Sequence, residues 1–291
     1  AEWQALEKYL KKVWFANGIH HHYSNDKFKP EFTEEYLLSV IEQVGDEQFG
    51  ELNAYREEVC RAIFDAALYP TKLNQKAGED LLLTSSSNYY SGVTQAEAER
   101  FYAKMAAADK GNPQPVSYGL NSQLTKNDKG QLVERVWFAE GMYGEAIQQI
   151  IYWLEKAEAV AVEPQKQTIR HLIDYYKTGD LKLFDAYNIS WVADTESHVD
   201  FVNGFIEDYG DPLGRKASWE GTVNFMDSVA CRRTQILSAN AQWFEDNAPI
   251  DPKFRKKEVK GVSAKVITVA MLGGDCYPAT PIGINLPNAD W

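Results

Sequence analysis

The stretch Ser218–Glu245, SWEGTVNFMDSVACRRTQILSANAQWFE, is where the architecture turns on a single reading. Trp219, Val223, Met226, Ala230, Leu237, Ala241 and Phe244 fall near one face of a helix at 3.6 residues per turn. Ser218 stands where an N-cap belongs. The spacing therefore predicts one long amphipathic helix from Ser218 to about Glu245.

Downstream, Val262–Met271 (VSAKVITVAM) is β-branched and predicts a strand, followed by a Gly-rich turn. In Pro278–Pro287 (PATPIGINLP) prolines and Gly283 interrupt a β-like run. Proline confines such a strand to an edge, where unpaired N–H and C=O groups can receive another chain. Gly283 lets that chain come close, and Asn285 and Asn288 offer amide donors and acceptors.

Upstream, Leu181–Val192 (LKLFDAYNISWV) reads as one or two strands. Tyr143–Val160 and Pro164–Lys177 are helical, with Pro164 at a first-turn position and Gly179 as a C-terminal cap. Ser117–Leu124 and Gln131–Trp137 flank Lys126-Asn127-Asp128-Lys129-Gly130, the pattern of a β-hairpin. Thr94 and Glu97 form a capping box opening another helix to about Ala107. Thr33 caps Glu34–Val44, and Glu51–Leu68 forms a helix that stops before Pro70. The class is α+β, mainly helical, without internal repeats.

The 291 residues exceed the usual size of a single core, which predicts two lobes or an elongated domain. A hydrophobic content of 44% supports folding and excludes disorder. The net charge of −12 disfavours nucleic acid and anionic membrane as partners. The basic run Lys253–Lys260 is short and contains Glu258, so it reads as a solvated helix end or loop. No apolar run approaches the ~20 residues that span a bilayer. Cys60, Cys231 and Cys276 are odd in number and far apart, which argues for free thiols and weakly for a reducing, cytoplasmic setting over a bacterial envelope. The chain begins inside a helix-like segment and stops at Trp291 just after a strand-like one, so both ends are expected to be cuts.

His20, His21 and His22 are adjacent, but neighbours on a helix diverge by about 100° and only alternate residues of a strand share a face. They read as structural or supporting residues, with metal ligation by His20 or His22 as the lesser alternative. His171 and His198 lack a paired histidine and glutamate on one helical turn, and the chain carries no HExxH, G-x-S-x-G or phosphate-binding loop. The residues on their own supply no complete catalytic set and no metal site.

Two segments carry a family resemblance. Gly204–Gly214, GFIEDYGDPLG, with Trp219-Glu220-Gly221 shortly after, resembles the GFIE-x-Y-x-DP-x-G…(F/W)EG signature of the dipeptidyl peptidase III family. PIGINLPN, Pro281–Asn288, resembles that family's P-x-GINIPN segment, and NGIHHHYS is closest to its bacterial branch.

The resemblance implies a two-lobed zinc metallopeptidase that releases dipeptides from peptide N-termini. Its lower lobe is built on a small β-barrel-like sheet with helices around it. Its zinc is bound by an HExxGH helix and a glutamate downstream of GINIPN, outside this sequence. On that reading residues 1–217 are lower lobe and 218–258 a long helix reaching the upper lobe. Residues 259–284 return to the β-core, and 285–291 begin the catalytic lobe. This portion alone is expected to be inactive and zinc-free.

The resemblance further implies that peptide lies along Pro281, Ile282, Gly283 and Ile284 as an added strand. Asn285, Asn288 and an acidic residue, carried over onto Asp200, would hold the free ammonium, with Glu207 of the GFIE run also at the substrate. The family's oxyanion tyrosine falls on Val202, which cannot donate a hydrogen bond, leaving Tyr209 or Tyr187 as substitutes. A non-catalytic peptide-binding protein on the same scaffold is the alternative.

Overall fold

The computed structural model describes residues 1–44, 55–261 and 265–289. Its helices are α1 (Glu2–Ala16), α2 (Glu34–Val44), α3 (Arg56–Phe64), α4 (Gln95–Ala108), α5 (Gly144–Val160), α6 (Gln165–Thr178), α7 (Leu181–Ala193), α8 (Ser228–Ala239) and α9 (Ala241–Asp246). Strands β1 (Ser122–Lys126) and β2 (Leu132–Val136) form one antiparallel sheet. Strands β3 (Val199–Glu207), β4 (Ser218–Met226) and β5 (Ile267–Gly274) form the other, in the order β3-β4-β5. The mixed α+β class is as the sequence predicts. Among the described residues, however, the strands make two open sheets and no closed barrel.

Local chemistry explains the elements that sequence anticipates. Thr94 Oγ1 accepts from the Glu97 N–H while the Glu97 carboxylate accepts from the Thr94 N–H, closing a capping box at α4. The β1–β2 turn closes through Gly130 N–H to the Asn127 carbonyl at 2.8 Å. Helix α6 buries Ile169, Leu172, Ile173 and Tyr176, one apolar stripe, and ends at Gly179 in the left-handed region. Of the expected helix Glu51–Leu68, residues 56–64 form α3, which ends at Phe64 with Asp65 extended, four residues short of Leu68; residues 51–54 lie outside the described residues.

Two expectations are overturned. Ser218–Glu245 is not one helix: it is β4, then Asp227 accepting from the Val229 and Ala230 N–H groups as N-cap, then α8 and α9. Along β4 the residues buried on alternate positions are Glu220, Thr222 and Asn224. The inward face is polar, so hydrophobic alternation is absent. Trp219, Val223 and Met226 imitate helical spacing instead. Conversely, Leu181–Val192 is helix α7, capped by Asp180 accepting from the Lys182 N–H. It turns Phe184, Tyr187 and Trp191 onto the core at helical intervals, which outweighs its strand-like composition.

The principal core lies between α5, α6 and α7 and the sheet carrying β3 and β4, with Ile147, Leu172, Tyr176, Phe184 and Phe205 among its members. Helix α7 crosses β3 so closely that a Cβ on Gly204 would meet the Phe184 ring at 2.9 Å. Separate clusters join α1 to α2 and α3, and α4 to β1.

The β3–β4 connection is locked by polar contacts. Asp211 accepts from the Leu213, Arg215 and Lys216 N–H groups and from the Tyr90 hydroxyl. The fully buried Lys216 ammonium bonds the Tyr102 hydroxyl at 2.6 Å and the Gly119 and Ser122 carbonyls. Burial pulls that ammonium down to a pKa of about 8. The GDPLG run is thus a rigid clasp between the two sheets.

Candidate functional site

Antiparallel pairing of β3 with β4 sets Val202 opposite Thr222 and Gly204 opposite Glu220. A bulge between Phe205 and Glu207 then pairs Glu207 with Ser218 and restores the carboxylate to the inner rim. Strand β5 ends at Gly274, whose positive φ turns the chain over Trp219. A Cβ there would collide with the Trp219 carbonyl oxygen. The turn delivers Asp275 and Cys276 beside Glu220.

These elements enclose a cavity of about 490 Å³. Its floor is Val202 and Thr222, its acidic wall Glu207, Glu220 and Asp275, and its far side Pro281, Gly283, Ile284, Asn285 and Asn288. Asn288 Nδ2 donates to Glu207 Oε2 at 3.4 Å, and Ser218 Oγ donates to Asp275 Oδ2 at 2.8 Å. The Cys276 thiol donates to Glu220 Oε2 at 3.2 Å.

Burial raises the pKa of Glu207 and of Glu220 above the usual carboxylate range. Burial, with Glu220 beside it, pushes the Cys276 thiol up to about 12. Burial lowers the pKa of His22, a further wall residue. The thiol is protonated at neutral pH and unsuited to nucleophilic work. What the wall can do is receive a cation, because three carboxylates crowd a partly dehydrated space.

Of the residues expected at the substrate, Pro281, Gly283, Ile284, Asn285, Asn288 and Glu207 line this one cavity, and Tyr209 stands at it. The others are elsewhere. Ile282 projects fully into solvent. Asp200 has its carboxylate occupied by the Trp191 indole N–H at 3.0 Å and by the Lys265 ammonium at 3.6 Å, so it is already neutralised away from the cavity. Tyr187 is buried in the principal core.

The expected edge strand at Pro281–Ile284 is also corrected. Those residues belong to no sheet, with a bend at Ile282: Pro281 has no N–H to donate, and Ile284 and Leu286 pack against the core. Residues 281–289 make no backbone–backbone hydrogen bond among the described residues. Sequence reasoning did not single out Asp275, and it read Cys276 only as a free thiol and His22 as structural, not as residues of this site. The Gly273-Gly274 pair before Asp275 signals the turn, but nothing local says what it faces.

Among the described residues no group of three or more His, Cys, Asp or Glu side chains is arranged to hold a metal ion. No described helix is long and apolar enough to cross a membrane.

Residues 79–291 match the model of Peptidase family M49, and the chain belongs to that family. Its relatives there are dipeptidyl peptidases 3. The Rattus norvegicus protein is 26% identical over 316 residues, covering 99% of this chain and 42% of its own length. The Homo sapiens protein is 23% identical over 317 residues with the same coverage. The chain therefore spans about two fifths of the relatives it matches. The solved dipeptidyl-peptidase III of Caldithrix abyssi superposes with a TM-score of 0.58 at 19% identity, over 75% of this chain and 41% of the other. That of Corallococcus sp. strain EGB gives 0.51 at 21%, over 73% and 38%. Both structures share the fold.

Proposed function

We propose that this chain is the substrate-holding portion of a zinc-dependent exopeptidase, and that its acidic cavity grips the free N-terminus of an extended peptide. The whole protein, on this reading, releases dipeptides. The observation that carries it is the meeting of Asn285, Asn288 and Glu207 with Glu220 and Asp275 in one space.

A peptide's leading ammonium would sit against the carboxylates and Asn288 would orient Glu207 toward it. The following backbone would pair with the free N–H and C=O groups of 283–285, a pairing that ignores side-chain identity and so tolerates many sequences. Asp200, held by Lys265, is not the anchor in this arrangement.

The described residues do not fit zinc. Zinc ligands would come from the remainder of the whole protein, so this chain's part is to bind and orient.

The test has two arms. The whole natural polypeptide loaded with zinc should release dipeptides from dipeptidyl-arylamide substrates, and a peptide with an acetylated N-terminus should bind far more weakly than its free counterpart. Equal binding of the two peptides overturns the anchoring.

One observation favours a second reading, a peptide-binding protein without catalysis. Val202, buried on the cavity floor, stands where the resembling family has its oxyanion tyrosine. Peptide binding without any dipeptide release by the zinc-loaded protein would select it.

A further inference from the structure

The three adjacent histidines are each engaged differently. His20 Nε2 lies 2.8 Å from the Tyr69 carbonyl oxygen, so that ring is spent on the loop before Pro70. His21 Nδ1 accepts from the Tyr23 and Ser24 N–H groups and closes the turn that follows it. His22 instead lines the acidic cavity, together with Asp275.

Helix α1 leads into this segment and is tied to the same cavity from outside. It ends at Asn17, which lies in the left-handed region with φ of 54°. From there Asn17 Nδ2 donates to the Gly274 carbonyl at 2.8 Å, across 257 residues of chain. Phe15, on the last turn of α1, stacks on Tyr277 with ring centroids 5.6 Å apart and planes 12° from parallel. Gly274 and Tyr277 bracket Asp275 and Cys276, the residues that the turn delivers to the cavity. Within the turn, Tyr277 N–H donates to the same Gly274 carbonyl at 3.1 Å. That oxygen therefore accepts twice, once from its own turn and once from α1. Helix α1 is itself seated on a separate small core, with Leu6 and Tyr9 packed among Phe32 and Leu37.

We infer that Asn17 and Phe15 are positioning residues of the peptide site: the end of α1 fixes the turn that presents Asp275, and His22 lines the cavity with it. The inference rests on the acidic cavity being the anchor for a peptide's ammonium. A carboxylate held in place beforehand binds better than one that must be ordered on binding, because the ordering entropy is already spent. A donor on a separate helix supplies that hold through the backbone and leaves the carboxylate itself to the ligand.

The experiment is Asn17→Gly in the whole natural polypeptide. Glycine takes the left-handed backbone without strain, so the helix end survives and only the side-chain amide is lost. Amide hydrogen exchange at Asp275 and Tyr277 is expected to quicken about fivefold, the loss of one ordinary hydrogen bond. Affinity for a short unblocked peptide is expected to fall about threefold in calorimetric titration, with the acetylated peptide unaffected. Phe15→Leu should act in the same direction, while Phe15→Tyr keeps the stack and should behave as wild type. Trp14→Ala, at an exposed neighbour on the same helix, is the control and should leave both readouts unchanged. Either readout staying at its wild-type value in Asn17→Gly overturns the inference, and the anchor stands as long as wild type prefers the unblocked peptide. Equal binding of both peptides by wild type removes the anchor and this inference with it.

Discussion

Glu207→Gln is the perturbation that most directly questions the acidic wall. The substitution preserves shape and leaves an amide oxygen to accept from Asn288 Nδ2, now at 3.4 Å from the carboxylate. It removes one negative charge from a partly buried wall that includes Glu220 and Asp275. A hydrogen bond to a charged group contributes about 1.5–3 kcal/mol. Glu220 and Asp275 remain to share the ammonium, so the lower part of that range applies. At 1.4 kcal/mol per decade, peptide affinity should fall roughly tenfold.

The internal control is Asp200→Asn. Its carboxylate is spent on Trp191 and Lys265, so the same loss of charge should change affinity less than about threefold. Isothermal titration with a short unblocked peptide measures both. The acetylated peptide should be almost insensitive to either change. Unaltered affinity in Glu207→Gln together with a large loss in Asp200→Asn would refute the placement of the anchor.

Other outcomes follow from the same geometry. Peptide binding should weaken on acidification at a pH above that at which an ordinary glutamate titrates, since the raised pKa values of Glu207 and Glu220 let protonation discharge the wall early; a pH series of titrations reads this. Gly274→Ala should destabilise by about 2–4 kcal/mol in denaturant unfolding, because a side chain there is strained by the positive φ and strikes the Trp219 carbonyl. For Lys216 the folded protein holds the proton less tightly than the unfolded chain, so fewer protons are bound on folding between pH 8 and 10.5 and this residue's contribution to stability rises over that window. The stability difference between wild type and Lys216→Met, followed across that window, should move in the same sense. Residues 1–291 expressed alone should bind no stoichiometric zinc and release no dipeptide; one tightly held zinc per chain on metal analysis would contradict this.

How much of this was legible depended on whether the deciding signal was local. The α4 capping box and the β1–β2 hairpin are written in four or five neighbouring residues, Thr94 to Glu97 and Asn127 to Gly130, and sequence suffices for them. Strand β4 is different. Its buried face is Glu220, Thr222 and Asn224, side chains that go inside only because the chain behind them builds a polar cavity, a fact no window of the sequence contains. In the site, Glu207, Asn285 and Asn288 were accessible through the motifs that contain them. Asp275 and Cys276 arrive by a turn whose partner, Trp219, is more than fifty residues earlier. Asp200 matched in position, but its engagement with Lys265 is tertiary.

Strand β4 has two unlike sides: Trp219 packs with Tyr89, Trp137 and Phe205 around an apolar hollow, while Glu220 and Thr222 face the acidic cavity. Shifting its pairing with β3 by a single position would send an indole among the carboxylates and a glutamate among the rings. Neither compartment could survive the exchange, so any misregistered form is penalised twice, by a buried charge on one side and by a blocked polar basin on the other. The clasp at Asp211 and Lys216 sits at the one loop where such slippage would begin. Correct alignment of this single ribbon is therefore a condition for both compartments at once, and a folding error there cannot yield a half-functional molecule.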